Sequence, residues 1–168
     1  MSRFFVYAVS TFLLVGCTSM CSGSRKDMTA EEVVEAYLDI ALNLTDVEQR
    51  EYLLEYTTGN LRNAIEEASD EIIKTAYVQR KYTLNRYTVV ERRDRTPRET
   101  EITFELEYLD FGVDPNLTAD TAPKVVTENT VSVIKEKGAW YIRDVLGNKT
   151  SIDFPVSEAA KITAKSPE

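Results

Sequence analysis

The chain has 168 residues and no histidine. That absence removes the Ser–His and Cys–His nucleophile pairs, the usual zinc-ligand sets and the commonest general base. Cysteine is almost as scarce: Cys17 and Cys21 are the only two, both near the start, so no disulfide can staple the body of the chain. No Gly-rich phosphate-binding loop is present. Long apolar runs are missing as well. The longest, Phe4 to Val15, spans 12 residues with Ser10 and Thr11 inside it. A membrane-spanning helix needs about 20. Basic surplus is also lacking: 20 Lys and Arg stand against 28 Asp and Glu, a formal net charge of −8. An acidic chain is a poor partner for nucleic acid.

What is present begins at the N-terminus. Arg3 supplies a short positive start, and Phe4 to Val15 has the length of a signal-peptide apolar region. Leu14-Val15-Gly16-Cys17 follows. This pattern resembles the lipobox of bacterial lipoproteins, where an apolar helix presents small residues to a protease slot and a thiol to the lipid donor. The resemblance covers residues 1–17. It implies a signal peptide over 1–16, cleavage between Gly16 and Cys17, and a lipid on Cys17 that holds the chain to a membrane. Thr18 follows in place of the Asp that retains family members at the inner membrane. An outer-membrane, periplasmic-side location is therefore expected in a cell with two membranes. Met20 is too large for Cys21 to be a rival site. Each lipid CH₂ buried in the bilayer contributes about 0.8 kcal/mol, so a multiply acylated Cys17 is a stable anchor.

Residues 17–28 are mostly small and polar, and read as a flexible tether. Thr29-Ala30-Glu31-Glu32 is a capping box that opens a helix over 30–43, its buried stripe Val33, Val34, Tyr37, Leu38, Ala41 and Leu42. A second box, Thr45-Asp46-Val47-Glu48, opens a second helix that Gly59 closes in a left-handed cap. Leu61, Ala64, Ile65, Ala68, Ile72 and Ala76 extend helical spacing to about Val78, with a break near Ser69-Asp70. Strands are expected over 82–92, 101–109, 125–135 and 139–145. Ile102, Phe104, Leu106 and Tyr108 alternate with Glu101, Thr103, Glu105 and Glu107, so one face is buried and the other wet. Lys137-Gly138 and Gly147-Asn148 read as turns, the second followed by a short strand to Phe154, 110–124 as a long loop, and 155–168 as a loosely held tail.

Helices first, then antiparallel strands, predict an α+β fold with N-terminal helices packed on a curved antiparallel sheet. The stretch Val33–Ala41 and the ending Thr130–Ile142, with its Lys137-Gly138 turn and Trp140-Tyr141-Ile142 strand, resemble the NTF2-like cone, in particular small bacterial lipoproteins of the DUF4878 kind. That resemblance places the domain at 29–154. It implies a cone pocket lined by Tyr37, Phe104, Tyr108, Trp140 and Asp144. Enzymes of this class, isomerases and dehydratases among them, set an Asp or Tyr in such a pocket, where burial shifts its pKa. Tyr37, Tyr56, Tyr77, Tyr82, Tyr108 and Asp144 are the residues of that type here, and none sits in a matching motif. No catalytic residue is therefore assigned.

Two further patterns bear on function. Asp114-x-Asn116-x-Thr118 begins like a calcium loop, but Ala119 and Val125 stand where Gly and the bidentate Glu belong, so no metal and no cofactor is expected. Charge is uneven: residues 27–73 hold 13 acids against Arg50 and Arg62, while 79–99 hold seven bases against three acids. Arg92, Arg93, Arg95 and Arg98 therefore form the expected partner surface. The functional expectation is a membrane-anchored envelope lipoprotein, non-enzymatic, whose domain binds an envelope protein or a small ligand. A cone-pocket isomerase or dehydratase and a structural envelope component are the other readings.

Overall fold

A computed structural model describes residues 25–79, 81–112 and 116–153. The expected signal segment, most of the tether, Asp114 and the tail from 155 lie outside these residues.

The first capping box forms as expected. Thr29 Oγ1 accepts from Glu32 N at 3.2 Å, and Thr29 N donates to Glu32 Oε2 at 2.6 Å. Helix α1 then runs Ala30–Leu42 and buries Ala30, Val33, Val34 and Ala41. The second box slides by one residue. Asp46, not Thr45, is the cap, and Gln49, not Glu48, reaches back, its Oε1 accepting from Thr45 N and Asp46 N. A 3₁₀ turn, Val47–Gln49, leads into the short α2, Arg50–Leu54. Gly59 adopts the left-handed conformation expected, with φ of 55°, yet it begins the next helix rather than ending the last. Helix α3 is Gly59–Glu67. The chain breaks at Ala68 and Ser69, whose Oγ caps α4, Asp70–Ile73, and a π turn over Lys74–Val78 follows.

Four strands form one antiparallel meander in the order β1-β2-β3-β4: Lys81–Thr96, Glu99–Gly112, Lys124–Glu136 and Ala139–Asp153. The helices pack on this sheet, so the expected α+β class is what the chain adopts. β2 keeps the alternation read from its sequence, burying Thr100, Ile102, Phe104 and Leu106. Lys137 and Gly138 both have positive φ, 51° and 93°, the two-residue turn whose twist matches the flanking strands. No turn forms at Gly147-Asn148. They lie opposite Thr130 and Asn129, and β4 runs on to Asp153 because β3 supplies partners along its whole length.

The main core joins α1 to the sheet through Val33, Val34, Ile102, Phe104, Val133 and Ile142. A second cluster, Ala41, Leu44, Leu53, Leu54 and Ile65, ties the helices to one another. Fully burying one such side chain contributes about 1.5–3 kcal/mol. The two edges of the sheet are treated differently. Along β4, residues 56–58 cover part of the edge: Ile142 N donates to Tyr56 O and Thr58 N to Ile142 O, both at 2.9 Å. β1 is open, and it is guarded by charged side chains and repeated register shifts. Val90, the extra residue of one shift, is 57% exposed. Among the described residues no helix is long and apolar enough to cross a membrane.

Candidate functional site

The space between α1 and the sheet is small. It is a cavity of about 150 Å³ lined by Val34, Tyr37, Leu38, Leu61, Phe104, Leu106, Asn129, Val131, Ile142 and Val145. No carboxylate lines it. Of the five residues expected there, Tyr37 and Phe104 are present. Burial raises the Tyr37 hydroxyl well above the ordinary phenol value, and the Tyr77 hydroxyl, hydrogen-bonded to it, adds to the shift. This phenol stays protonated at neutral pH and works as a tie between α1 and the π turn.

The other three are elsewhere. Tyr108 packs edge-on against Tyr82 with ring centres 5.2 Å apart. Trp140 lines a surface hollow with Arg92, Asp94, Arg95, Thr96 and Pro97. Asp144 accepts from Asn60 Nδ2 and from Val145 N, each at 2.9 Å. The cause is a β-bulge. Val133 faces Ile142 but Ser132 faces Asp144, so Arg143 is an extra residue. The bulge reverses the alternation, so Val145, itself half-exposed, lines the cavity where strict alternation would put Asp144. Freed from the ladder, Arg143 reaches Glu99 and Ser132.

The expected arginine surface is mostly neutralised from within. Arg92 donates to Glu31 at 2.7 Å and to Asp94 at 2.9 Å, Arg93 pairs with Glu91 at 2.9 Å, and Arg95 with Glu101 at 2.7 Å. The pairing holds the Asp94 and Glu101 carboxyls below their ordinary values, and the bonds from Arg92 and Arg95 are the largest cause. Of the four, only Arg98 has no ion pair among the described residues.

Among the described residues a shallow hollow of about 610 Å³ lies over Glu71, Ile72, Thr75 and Ala76, and two further concavities lie at the ends of the sheet. One lies where α1 ends and β1 begins. It is an open groove of about 670 Å³ whose apolar wall is Leu42, Leu44, Val78, Tyr82, Phe111 and Leu117, with Lys81 on its rim. Phe111 and Leu117 are the two largest apolar residues of the 110–124 stretch, a signal that could have marked them. The second, about 340 Å³, lies at the opposite end of the sheet and is lined by Arg98, Lys135, Lys137 and Gly138. The meander puts the β1–β2 and β3–β4 turns side by side there, and Lys135 N donates to Arg98 O at 2.8 Å. No acid lines it, and none of the three cations is ion-paired among the described residues. Lys135 and Lys137 were not foreseen, because the residues beside them in sequence give no sign that Arg98 is near.

The N-terminal side of the domain also ends there. Arg25, within the stretch expected to be a loose tether, lies between the rings of Tyr56 and Tyr141 at 4.6 and 4.5 Å, and its Nη2 donates to Trp140 O at 3.3 Å. Residues 25–27 form a 3₁₀ turn, and Met28 packs on the main core. Residues 25–28 therefore pack on the domain, where a flexible tether was expected.

Fold and site together define a helix-on-sheet α+β domain with a nearly filled interior and a surface concavity at each end. No family model and no curated protein matches the chain. Among solved structures it is similar to the intermembrane space region of the chloroplast protein ARC6, at 20% identity and a TM-score of 0.47, over 76% of this chain and 98% of that one. It is also similar to the VirB8 protein of Agrobacterium tumefaciens, at 16% identity and a TM-score of 0.38, over 78% and 98%.

Proposed function

We propose that the chain is a lipid-anchored protein of a bacterial envelope whose NTF2-like domain binds a protein partner and does no chemistry of its own. The observation that carries this reading is the size and character of the interior. A cavity of about 150 Å³ is well below the roughly 300–1,000 Å³ of small-molecule sites, and its lining offers no carboxylate to act as acid or base. The larger groove is open, so a small molecule in it would stay wet on one side. A protein segment can cover the apolar wall of Leu42, Leu44, Tyr82 and Phe111 and exclude water from it. The anchor rests on Leu14-Val15-Gly16-Cys17.

The test has two parts. Cells producing the chain are fractionated beside cells producing Cys17→Ala. Lipid labelling and membrane retention are expected in the first, with an unlabelled, uncleaved or released product in the second. Unchanged size and labelling in the variant would remove the anchor. A photo-crosslinking residue at Phe111 is then compared with one at Thr88, on the exposed face of β1. One discrete adduct from position 111, lost when Leu117→Asp is added at the half-buried rim of the groove, supports the groove. Identical adduct patterns from both positions would overturn it.

A further inference from the structure

We infer that the basic concavity formed by Arg98, Lys135 and Lys137 docks on anionic phospholipid headgroups, and so holds the domain upright with its apolar groove facing away from the membrane. The inference rests on the lipid anchor proposed above.

Three observations lead there. The first is chemical. Three cations surround one hollow with no acid on its wall, while the neighbouring Arg92, Arg93 and Arg95 are each paired with a carboxylate. In a chain of net charge −8, a cluster left unneutralised stands out against its surroundings. Unpaired ammonium and guanidinium groups suit phosphate oxygens, the guanidinium as a two-toothed donor and the ammonium as a point charge.

The second is reach. The chain leaves the domain at Arg25, which Tyr56, Tyr141 and the Trp140 carbonyl hold at this same end of the sheet. Only residues 18–24 separate Arg25 from Cys17. Fully extended, that link spans at most about 28 Å, and as a flexible coil about 16 Å. An anchored domain therefore cannot keep this end far from the bilayer.

The third is polarity of the whole molecule. The apolar groove lies beyond the other end of β2, which extends from Glu99 to Gly112, about 40 Å of strand. Docking by the basic end points the groove outward, where a partner can reach it. Free docking by the groove end would require the tether to fold back along the domain.

The chain's single tryptophan provides the readout. Lys135 Nζ lies 5.5 Å from the centre of the Trp140 ring, so an anion or a bilayer at the hollow alters the fluorescence of Trp140 and its access to acrylamide. The full-length processed chain is reconstituted in vesicles of phosphatidylcholine alone and of phosphatidylcholine mixed with phosphatidylglycerol. Trp140 is expected to be protected from acrylamide in the mixed vesicles only, and the protection is expected to fade in high salt. Each base that reaches an anionic surface raises the docked population about fivefold, so Arg98→Gln, Lys135→Gln and Lys137→Asn together lower it about a hundredfold. Asn is chosen at 137 because it tolerates the positive φ there. A control carrying Arg86→Gln, Lys124→Gln and Lys149→Gln, cations already paired with carboxylates and not lining the hollow of Trp140, is expected to keep the protection. Far-UV circular dichroism checks that both variants fold. Equal exposure of Trp140 in the two vesicle types, or full protection in the 98/135/137 variant, overturns the docking. Inorganic phosphate that quenches Trp140 while mixed vesicles leave it exposed overturns the membrane in favour of a soluble anion. Flotation of Cys17→Ala beside the parent scores the anchor separately, so its failure is not mistaken for failure of the docking.

Discussion

The two ends of the sheet are built from the same four strands and could hardly differ more. At the tether end, two tight turns bring Arg98, Lys135 and Lys137 together, and Arg25 is held between two aromatic rings. At the other end, α1 runs out at Leu42, β2 ends at Gly112, and Leu44, Tyr82, Phe111 and Leu117 wall an open apolar groove. The difference lies in what neutralises each surface. Between the ends, cross-strand pairs such as Arg86–Glu105, Lys124–Glu107 and Lys149–Glu128 tile the outer face of the sheet. Exposed pairs of this kind contribute at most about 1 kcal/mol each, so their main consequence is a surface with little attraction for a charged partner. The unpaired cations of the basic hollow and the apolar wall of the groove lie at the two ends. A meander produces such polarity readily, because it gathers its short turns at one end and its looser connections at the other.

The largest way to break the comparison is to weaken what both ends share. Ile142 is 1% exposed, its side chain lies in the main core, and its backbone holds residues 56–58 on the β4 edge. Ile142→Ala is expected to cost about 2–5 kcal/mol. Urea unfolding followed by circular dichroism and by Trp140 fluorescence should give one shifted transition by both probes. Two separated transitions would show that the ends are independent units.

How far the molecule can be read from its sequence follows the same division. α1 was legible because Thr29 and Glu32 form a local reciprocal box and its apolar stripe needs no partner to be seen. β2 was legible because its alternation is unbroken. Asp144 was misplaced because a bulge at Arg143 reverses the strand's phase, and bulges are set by the partner strand. The end of β4 was misplaced because Gly147-Asn148 resembles a turn in isolation, and only β3 alongside makes it strand. The arginines of β1 were found but overvalued. Their carboxylate partners Glu31 and Glu101 sit on α1 and β2, beyond the reach of any local pattern. The basic hollow was missed for the converse reason: Arg98 and Lys135 are brought together by strand order alone.

A smaller effect isolates the tether end. Arg25 has two ring faces at 4.6 and 4.5 Å and one bond to a carbonyl. Such cation–aromatic contacts contribute about 0.5–1 kcal/mol each when partly exposed. Arg25→Ala is therefore expected to lower stability by about 1–2 kcal/mol, and Arg25→Lys to recover only part of it, since a planar guanidinium stacks and an ammonium does not. Hydrogen exchange locates the change. Amides of Thr58 and Ile142, which bridge residues 56–58 to β4, should exchange faster, while those around Tyr82 and Phe111 should not. Faster exchange at the groove would mean that the ends are coupled after all.

The smallest effect lies between the ends, where α1 crosses the open edge strand. Tyr87 packs on Phe104 with ring centres 5.7 Å apart, and its buried hydroxyl has no hydrogen-bond partner among the described residues. Burial, with the nearby Glu35 and Glu31 carboxylates adding to it, raises this phenol from its ordinary 10.0 to about 12. The direction fixes the consequence for stability. Below pH 10 the phenol is protonated in both folded and unfolded chain, and its contribution is fully present. Between about pH 10 and about pH 12 the unfolded chain ionises first, so stability falls as pH rises. Tyr37, raised for the same reason, acts in the same direction. Tyr87→Phe removes an unsatisfied hydroxyl while keeping the ring. At neutral pH it is expected to leave stability unchanged or raise it by up to about 1 kcal/mol. Above pH 10 the variant's stability should decline less steeply than the parent's, measured as the urea midpoint across that range. A parallel decline in both chains would show that the Tyr87 hydroxyl finds a partner or water in solution, and that the seam between α1 and β1 is looser than the two ends it joins.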